Sequence, residues 1–312
     1  MSKQGSPSPR FSIIMPVYNH AAYVTEAARS VIDQTFADWE LWIVDDGSTD
    51  GSGELAEVLA TKDDRIRTIH QSNAGPAAAR NAALRRARAE WLCYIDSDDI
   101  YLPDALAAYD RHIRAHPEAK FIYGYRHRLN SDGSVTELSG EFQDRTTGTA
   151  ELFGRMYLSH LCVCYRRELI ELAGPYDENL RTCEDYELYL RISLHCEFEP
   201  LGRVTGLRRR HEGNISRQTG YSRMLEAEVL RRFVRDQGGG EVLDDRLIRR
   251  RLGRLYYAAG REYFKARCYR QGLDALAKAH RYRRTVKSTA LSVLVRCLLP
   301  AGTTDGRETP CL

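Results

Sequence analysis

The chain has 312 residues, 43% of them hydrophobic and 29% charged, with 23 Gly and 10 Pro, a composition that supports a large core and excludes a disordered chain or a Gly/Pro-dominated polymer. Its length allows one large domain or a domain with an appendage, because single cores stop growing near ~250–300 residues. The net charge of +3 hides an acidic body and a basic tail: residues 1–202 carry 21 Lys and Arg against 32 Asp and Glu, whereas residues 203–312 carry 25 against 11.

Phe11 to Val17 is an apolar run that predicts a strand, and Ala21 to Gln34 repeats apolar residues at helical spacing. The pair recurs: Glu40–Val44 reads as a strand, Ser52–Ala60 as a helix, Arg65–His70 as a strand, Pro76–Ala89 as a helix and Trp91–Ile95 as a strand. Pro76 suits a first helical turn, and Asp104 after Pro103 opens the next helix. Strand and helix in alternation predict an α/β fold with a mainly parallel sheet flanked by helices. Phe121–Leu129 then predicts a strand that turns at Asn130-Ser131-Asp132-Gly133 into a short antiparallel return. Residues 151–172 and 184–195 read as helical. From Tyr221 the chain is Arg-, Leu- and Ala-rich with helical spacing, broken at Gln237-Gly238-Gly239-Gly240, and Leu252–Tyr282 reads as a helical hairpin. These readings divide the chain into an α/β domain, 1–215, and a basic α-helical region, 216–312.

Eight cysteines are scattered along the chain. Cys162 and Cys164, one residue apart on an expected strand, face the same way with no second pair to complete a zinc site, which predicts core thiols and a reducing, cytoplasmic compartment. The polar stretch Met1–Arg10 predicts no secretory leader, and no apolar window reaches the ~18 residues of a membrane span.

In open parallel sheets ligands bind beyond the carboxyl ends of the strands. Here the first strand ends in Pro16-Val17-Tyr18-Asn19, the second in Asp45-Asp46-Gly47-Ser48-Thr49-Asp50 and the fourth in Asp96-Ser97-Asp98-Asp99. The third leads to Asn73-Ala74-Gly75-Pro76, with Arg80 and Asn81 a turn into the following helix. No G-x-G-x-x-G follows the first strand and no P-loop occurs, which disfavours a dinucleotide oxidoreductase and a P-loop enzyme. A phosphatase reading of Asp96-Ser97-Asp98 fails at Ile100, where Thr or Val is needed, and a nucleotidyltransferase lacks its Gly-rich loop. Three carboxylates within four residues repel one another unless a cation sits among them, and hard oxygen ligands select Mn²⁺ or Mg²⁺.

These motifs, in this order and continued by Glu184-Asp185, resemble the family 2 glycosyltransferases of the GT-A fold, over Phe11 to about Ser216. The resemblance implies a GT-A Rossmann-like sheet and a nucleotide-sugar donor, UDP-linked, lying over the strand ends. It implies that Pro16, Tyr18, Asn19, Asp46, Asn73, Arg80, Asp96, Ser97 and Asp98 bind that donor. Tyr18 stacks on the base, Asp46 accepts from its ring N–H, and Arg80 reaches the base or diphosphate. Asp96-Ser97-Asp98 is then the D-x-D that holds the ribose and a cation, with Asp99 adjacent and His211 as the late histidine on the metal or diphosphate. Asp185 is the catalytic base and Glu184 orients the acceptor or its loop. Each residue has a plainer alternative: an exposed loop aromatic for Tyr18, a turn former for Asp46, a solvated side chain for Arg80 and His211, helix capping for Glu184 and Asp185. A base on one side of the sugar and a metal-held diphosphate on the other imply inversion by direct displacement onto a saccharide or lipid-linked acceptor in surface polysaccharide synthesis. Gly174-Pro175-Tyr176-Asp177-Glu178 resembles the segment that precedes the family's base, with Pro175 and Tyr176 as departures. A catalytically silent nucleotide-sugar-binding scaffold is the alternative, and the intact carboxylate motifs speak against it.

Residues 281–299 set Arg281, Arg283, Arg284 and Lys287 beside Leu291, Val293, Leu294, Val295, Leu298 and Leu299. Such a segment either packs on the catalytic domain or lies in an anionic membrane surface, at the inner face of the plasma membrane. No nucleic-acid motif accompanies the basic residues, so nucleic acid is not an expected partner.

Overall fold

The structure is a computed structural model and describes residues 8–137, 145–211 and 219–298. The chain divides into two units, Met1–Gly148 with Met156–Gly213, and Thr149–Arg155 with Asn214–Leu312.

In the first unit the elements run β1 (Phe11–Val17), α1 (Val24–Ile32), β2 (Trp39–Asp45), α2 (Ser52–Ala60), β3 (Ile66–His70), α3 (Pro76–Leu84), β4 (Trp91–Tyr94), β5 (Ile100–Tyr101), α4 (Ala105–Ala115), β6 (Phe121–Leu129) and β7 (Val135–Thr136). A short helix of the second unit, α5 (Thr149–Gly154), intervenes before β8 (Val163–Arg166), α6 (Glu168–Ala173), α7 (Glu184–Ile192) and β9 (Phe198–Arg209). Among the described residues these strands make one mixed sheet in the order β3-β2-β1-β4-β8-β6-β9-β5, with β7 beside β6. The β3-β2-β1-β4 part is parallel, β8 is antiparallel to both its neighbours, and β6 and β9 run parallel.

Alternation along each strand decides what each face carries. Phe11, Ile13, Met15 and Val17 of β1, with Trp39, Leu41 and Ile43 of β2, pack with α1 (Val24, Ala27, Ala28, Val31), α2 (Ala56, Leu59) and α4 (Leu106, Tyr109, Ile113) in one buried cluster. Alanine-rich α3, buried along most of its length, lies against β1 and β2 with Pro76 at its first turn. Helices thus cover both faces, and the polar strand ends are left at one edge.

The helix expected over 151–172 is not continuous. It breaks after Gly154, and Val163-Cys164-Tyr165-Arg166 pairs instead with β4 and β6, where β-branched and aromatic side chains fit a two-sided buried strand. Cys162 closes a 3₁₀ turn (His160–Cys162) just before β8, so only Cys164 of the expected pair lies in the strand. Both are buried in the core, and burial pushes the Cys162 thiol up to about 12, which leaves it unreactive. The twelve-residue β9 had no counterpart in the sequence reading, nor did β5, which pairs with it through Ile100–Leu207 and Tyr101–Gly206.

The second unit is helical: α5, α8 (Gly220–Asp236), α9 (Gly239–Val242), α10 (Asp245–Lys265), α11 (Tyr269–Tyr282) and α12 (Val286–Leu298). Thr219 caps α8 reciprocally with Ser222, and Asp244 caps α10 through the N–H groups of Arg246 and Leu247. Helices α10 and α11 form the expected hairpin and approach closely at Gly260, where a Cβ would stand 2.7 Å from Leu276. The glycine run does interrupt the helices, but Gly239 is packed, since a Cβ there would meet the Phe233 ring. Helix α5 is anchored here by its Phe153 carbonyl, which accepts from Arg251 Nε at 3.1 Å.

Candidate active site

The expected residues gather in two neighbouring groups at the carboxyl ends of β1, β2 and β4. The first is a set of interlocked loops. Asn19 follows β1 in a left-handed conformation (φ 52°), donates its N–H to Ser48 Oγ at 3.1 Å and accepts from the Thr49 N–H at 2.8 Å. Asp46 is buried and accepts three 2.8 Å bonds, from Gln71 Nε2 and the Ala74 N–H on Oδ1 and from the Gly75 N–H on Oδ2. Gly47, at φ 77°, allows this approach, since a Cβ there would lie 2.9 Å from the Asn73 nitrogen. Asn73 accepts from Arg181 at 3.2 Å, Pro16 is the penultimate residue of β1, and Tyr18 is 48% exposed beside these loops. An exposed aromatic next to loops fixed in this way suits a planar heterocycle. Asp46 is engaged with the backbone of the β3–α3 loop, a structural duty that its place in the motif did not disclose.

The second group is acidic. Asp96, Asp98 and Asp99 follow β4, and their carboxylate oxygens lie within 4.8 Å of one another. Arg80, buried on α3, donates through Nη2 to Asp96 Oδ1 at 2.8 Å and through Nη1 to Glu184 Oε1 at 2.5 Å. It therefore joins the loop after β4 to the start of α7, whose Glu184 is 104 residues on from Arg80. Burial opposes its charge, but Asp96 and Glu184 hold its pKa well above the usual value. Its Nε is buried without a hydrogen-bond partner.

The carboxylates of this group are made unlike by their surroundings. Burial would raise Asp96, yet the charge and hydrogen bond of Arg80, with smaller contributions from His160 and Arg208, together hold the carboxyl below its ordinary value. Burial, then the charges of Asp96 and Asp98, push Asp99 well up, although its Oδ1 accepts the Arg209 N–H at 2.9 Å. Asp185, in the first turn of α7, is raised to about 6 by burial and by its neighbour Glu184, with Arg80 opposing. The residue before these two, Cys183, has φ 63°, costly for a non-glycine side chain, and this turn of backbone starts α7 with Glu184 and Asp185. Burial, followed by the Arg80 charge, holds His160 well below the usual histidine value, so it is neutral beneath the site, among Tyr94, Tyr176 and Tyr189.

Strand β9 brings His211 to the motif, where its Nε2 lies 2.8 Å from Asp98 Oδ2. Arg209, the last residue of β9, supports the same loop by donating from Nε to the Asp98 carbonyl at 3.0 Å. Ser97 is buried, and its hydroxyl lies 2.7 Å from Nδ1 of His20, a residue that sequence reasoning passed over although it directly follows Asn19. His20, Asp98 and His211 also place one ligand atom each within 4.8 Å of the others. The donor set, carboxylates with imidazoles, fits a divalent cation, which would relieve the repulsion that now raises Asp99.

The family profile described as "Glycosyl transferase family 2" matches residues 12–172. Among curated relatives, the chain is 33% identical over 188 residues to the uncharacterized glycosyltransferase EpsJ of Bacillus subtilis, covering 57% of this chain and 54% of EpsJ. It is 26% identical over 296 residues to the chondroitin synthase of Pasteurella multocida, covering 91% of this chain and 29% of the synthase. A similar 32% of the length is spanned in an uncharacterized glycosyltransferase of Rickettsia conorii, so the chain corresponds to a part of these longer relatives. The structure of S. aureus TarS residues 1–349 in complex with UDP superposes with a TM-score of 0.66 at 19% identity, covering 92% of this chain and 86% of that one. The mannosyltransferase PcManGT of Pyrobaculum calidifontis, in complex with GDP-Man and Mn²⁺, gives 0.60 at 19% identity, covering 93% and 80%.

Proposed function

The chain belongs to glycosyl transferase family 2 and is a glycosyltransferase, and from that premise we propose that it moves a sugar from a nucleoside-diphosphate donor, UDP-linked, to a hydroxyl of a saccharide or lipid-linked acceptor with inversion, in surface polysaccharide synthesis. The observation that carries the reading is the pairing of two carboxylate groups through Arg80: one fit for a cation, the other holding a base whose pKa is about 6.

In this reading Tyr18 stacks on the base of the nucleotide and the loops fixed by Asn19, Asp46 and Asn73 shape the pocket beneath it. Asp96, Asp98, Asp99 and His211 would hold Mn²⁺ or Mg²⁺, which would supply Lewis-acid neutralisation of the departing diphosphate. Asp185 takes the proton of the acceptor hydroxyl as the oxygen forms its bond to the anomeric carbon and the bond to the diphosphate oxygen breaks. A pKa near 6 leaves it ionised at neutral pH yet basic enough to accept that proton. Glu184 orients the acceptor side of the site while paired to Arg80. The TarS complex with UDP and the PcManGT complex with GDP-Man and Mn²⁺ support a nucleotide-linked donor and a divalent ion, and the likeness to chondroitin synthase supports a polysaccharide product.

Among the described residues no helix is long and apolar enough to cross a membrane. The same reading assigns the protein to the cytoplasm, at an anionic membrane surface: α12 exposes Val286, Val293, Leu294 and Leu298, and Arg283, Arg284 and Lys287 lie close by. Failure to sediment with anionic vesicles at low salt would remove this part.

The test of the transfer itself is Asp185→Asn, assayed with Mn²⁺, donor and acceptor. Loss of transfer with retained nucleotide binding is expected, and turnover at the parent rate overturns the assignment of the base.

A further inference from the structure

We propose that His20 is a further protein ligand of the divalent cation, forming with Asp98 and His211 a face of two imidazoles and one carboxylate that favours Mn²⁺ over Mg²⁺. The inference rests on the metal-dependent reading above and adds to it a residue and a selectivity.

Ligand atoms about 2.1 Å from one ion stand about 3 Å apart when adjacent and about 4.2 Å apart when opposite. The three atoms offered by His20, Asp98 and His211 all lie within 4.8 Å of one another, and the Asp98–His211 pair is already at 2.8 Å. Small side-chain adjustments are enough to close them on one ion.

The neighbouring carboxylates each have one oxygen engaged by the protein. Asp96 is drawn to Arg80 at 2.8 Å, and Asp99 accepts the Arg209 N–H at 2.9 Å. Asp98 is the carboxylate that turns an oxygen to the histidine side.

His20 is held as a ligand needs to be held. Its N–H donates to Ser52 Oγ at 2.9 Å, and the buried Ser52 hydroxyl donates in turn to Asp50 at 2.5 Å. Its ring is fixed by the 2.7 Å contact between Nδ1 and the buried Ser97 hydroxyl. With the proton on Nδ1 donated to Ser97 Oγ, the lone pair of Nε2 is the one available to a cation, which is how metal-binding imidazoles are usually oriented by their second nitrogen. Ser97, the middle residue of the D-x-D motif, thereby acts as a positioning residue for His20. The His20 ring is edge-on to Tyr23 and to His211, with centroids 6.0 Å and 5.8 Å away. His211 stacks on Tyr23 at 5.1 Å, and Tyr23 carries the Arg209 guanidinium 5.2 Å from its centroid. Both imidazoles are thus locked by packing before any ion arrives.

The selectivity follows from ligand type. Mg²⁺ keeps oxygen ligands and water, whereas nitrogen ligands favour the transition metals.

The decisive measurement is pulsed EPR on Mn²⁺ bound to the intact chain, alone and with UDP or GDP, counting directly bound imidazole nitrogens. Two are expected in the parent protein and one in His20→Ala. The Mn²⁺ affinity of His20→Ala should fall at least about tenfold, while His20→Asp should gain Mg²⁺ binding relative to Mn²⁺. A single bound nitrogen in the parent, or a signal and affinity unchanged by His20→Ala, overturns the proposal and leaves the metal-dependent reading intact. Absence of any bound Mn²⁺, with or without nucleotide, sinks both. Should His20→Ala fail to fold, the nitrogen count in the parent still decides.

Discussion

Asp96, at one end of the Arg80 bridge, and Asp185, next to Glu184 at the other, are the same residue type, and they are driven in opposite directions. Arg80 reaches Asp96 directly and holds it ionised, while at the α7 end its other arm goes to Glu184, so that Asp185 feels burial and a neighbouring carboxylate more than it feels the cation. One guanidinium therefore separates a carboxylate suited to a metal from a carboxylate suited to proton transfer. Roles in a site with several carboxylates are set by what each one touches rather than by its chemistry in water.

The largest test of that division is Asp185→Asn. If Asp185 is the base, transfer falls by about 10²–10⁴-fold, the usual worth of a positioned general base, with nucleotide affinity nearly unchanged. Steady-state kinetics beside nucleotide titration separates the two quantities, and a comparable loss of both would move Asp185 to a binding role. Next comes the bridge. Arg80→Met keeps the aliphatic stem of the side chain but leaves Glu184 and Asp96 without their shared cation, and breaking a buried pair from one side costs about 3–5 kcal/mol. Urea unfolding reads this directly. A loss below about 1 kcal/mol would mean that Arg80 is not what holds α7 to the loop after β4.

Much of this division was legible in the chain, for a physical reason. Apolar runs such as Phe11–Val17 alternate with helical stretches such as Ser52–Ala60, and the strand-end rule then points to the loops where carboxylates crowd. What was not legible depends on partners far away in sequence. Strand β9 carries Glu199, Arg203, Arg208 and Arg209 and is broken in register near Gly202 and Gly206, so it has no apolar alternation to betray it. Its pairing with β6 makes it a strand, and that pairing delivers His211 to Asp98. Likewise Arg80 reads as a helix residue near a nucleotide motif, and its bridge to Glu184 exists only once the chain brings the start of α7 to it. His20 lay in plain view after Asn19, but its meaning needs Ser97, 77 residues on.

The finest test asks whether Glu184 sets the pKa of Asp185. In the parent protein, kcat/KM should be flat above about pH 6 and fall about tenfold per pH unit below it, as the carboxylate base is protonated. In Glu184→Gln the amide oxygen still accepts from Arg80, so the bridge survives in neutral form. Removal of the Glu184 charge takes away a repulsion that favours the protonated acid, and Arg80, less neutralised, stabilises the Asp185 carboxylate further. Both effects lower the pKa of Asp185, so the acid limb moves to lower pH. A weaker base also takes the acceptor proton less effectively, which lowers the plateau. The two profiles should therefore approach or cross on the acid side, with the variant relatively more active at pH 5 than at pH 8. A limb that stays in place or moves upward would mean that burial alone raises Asp185 and that Glu184 serves only the bridge.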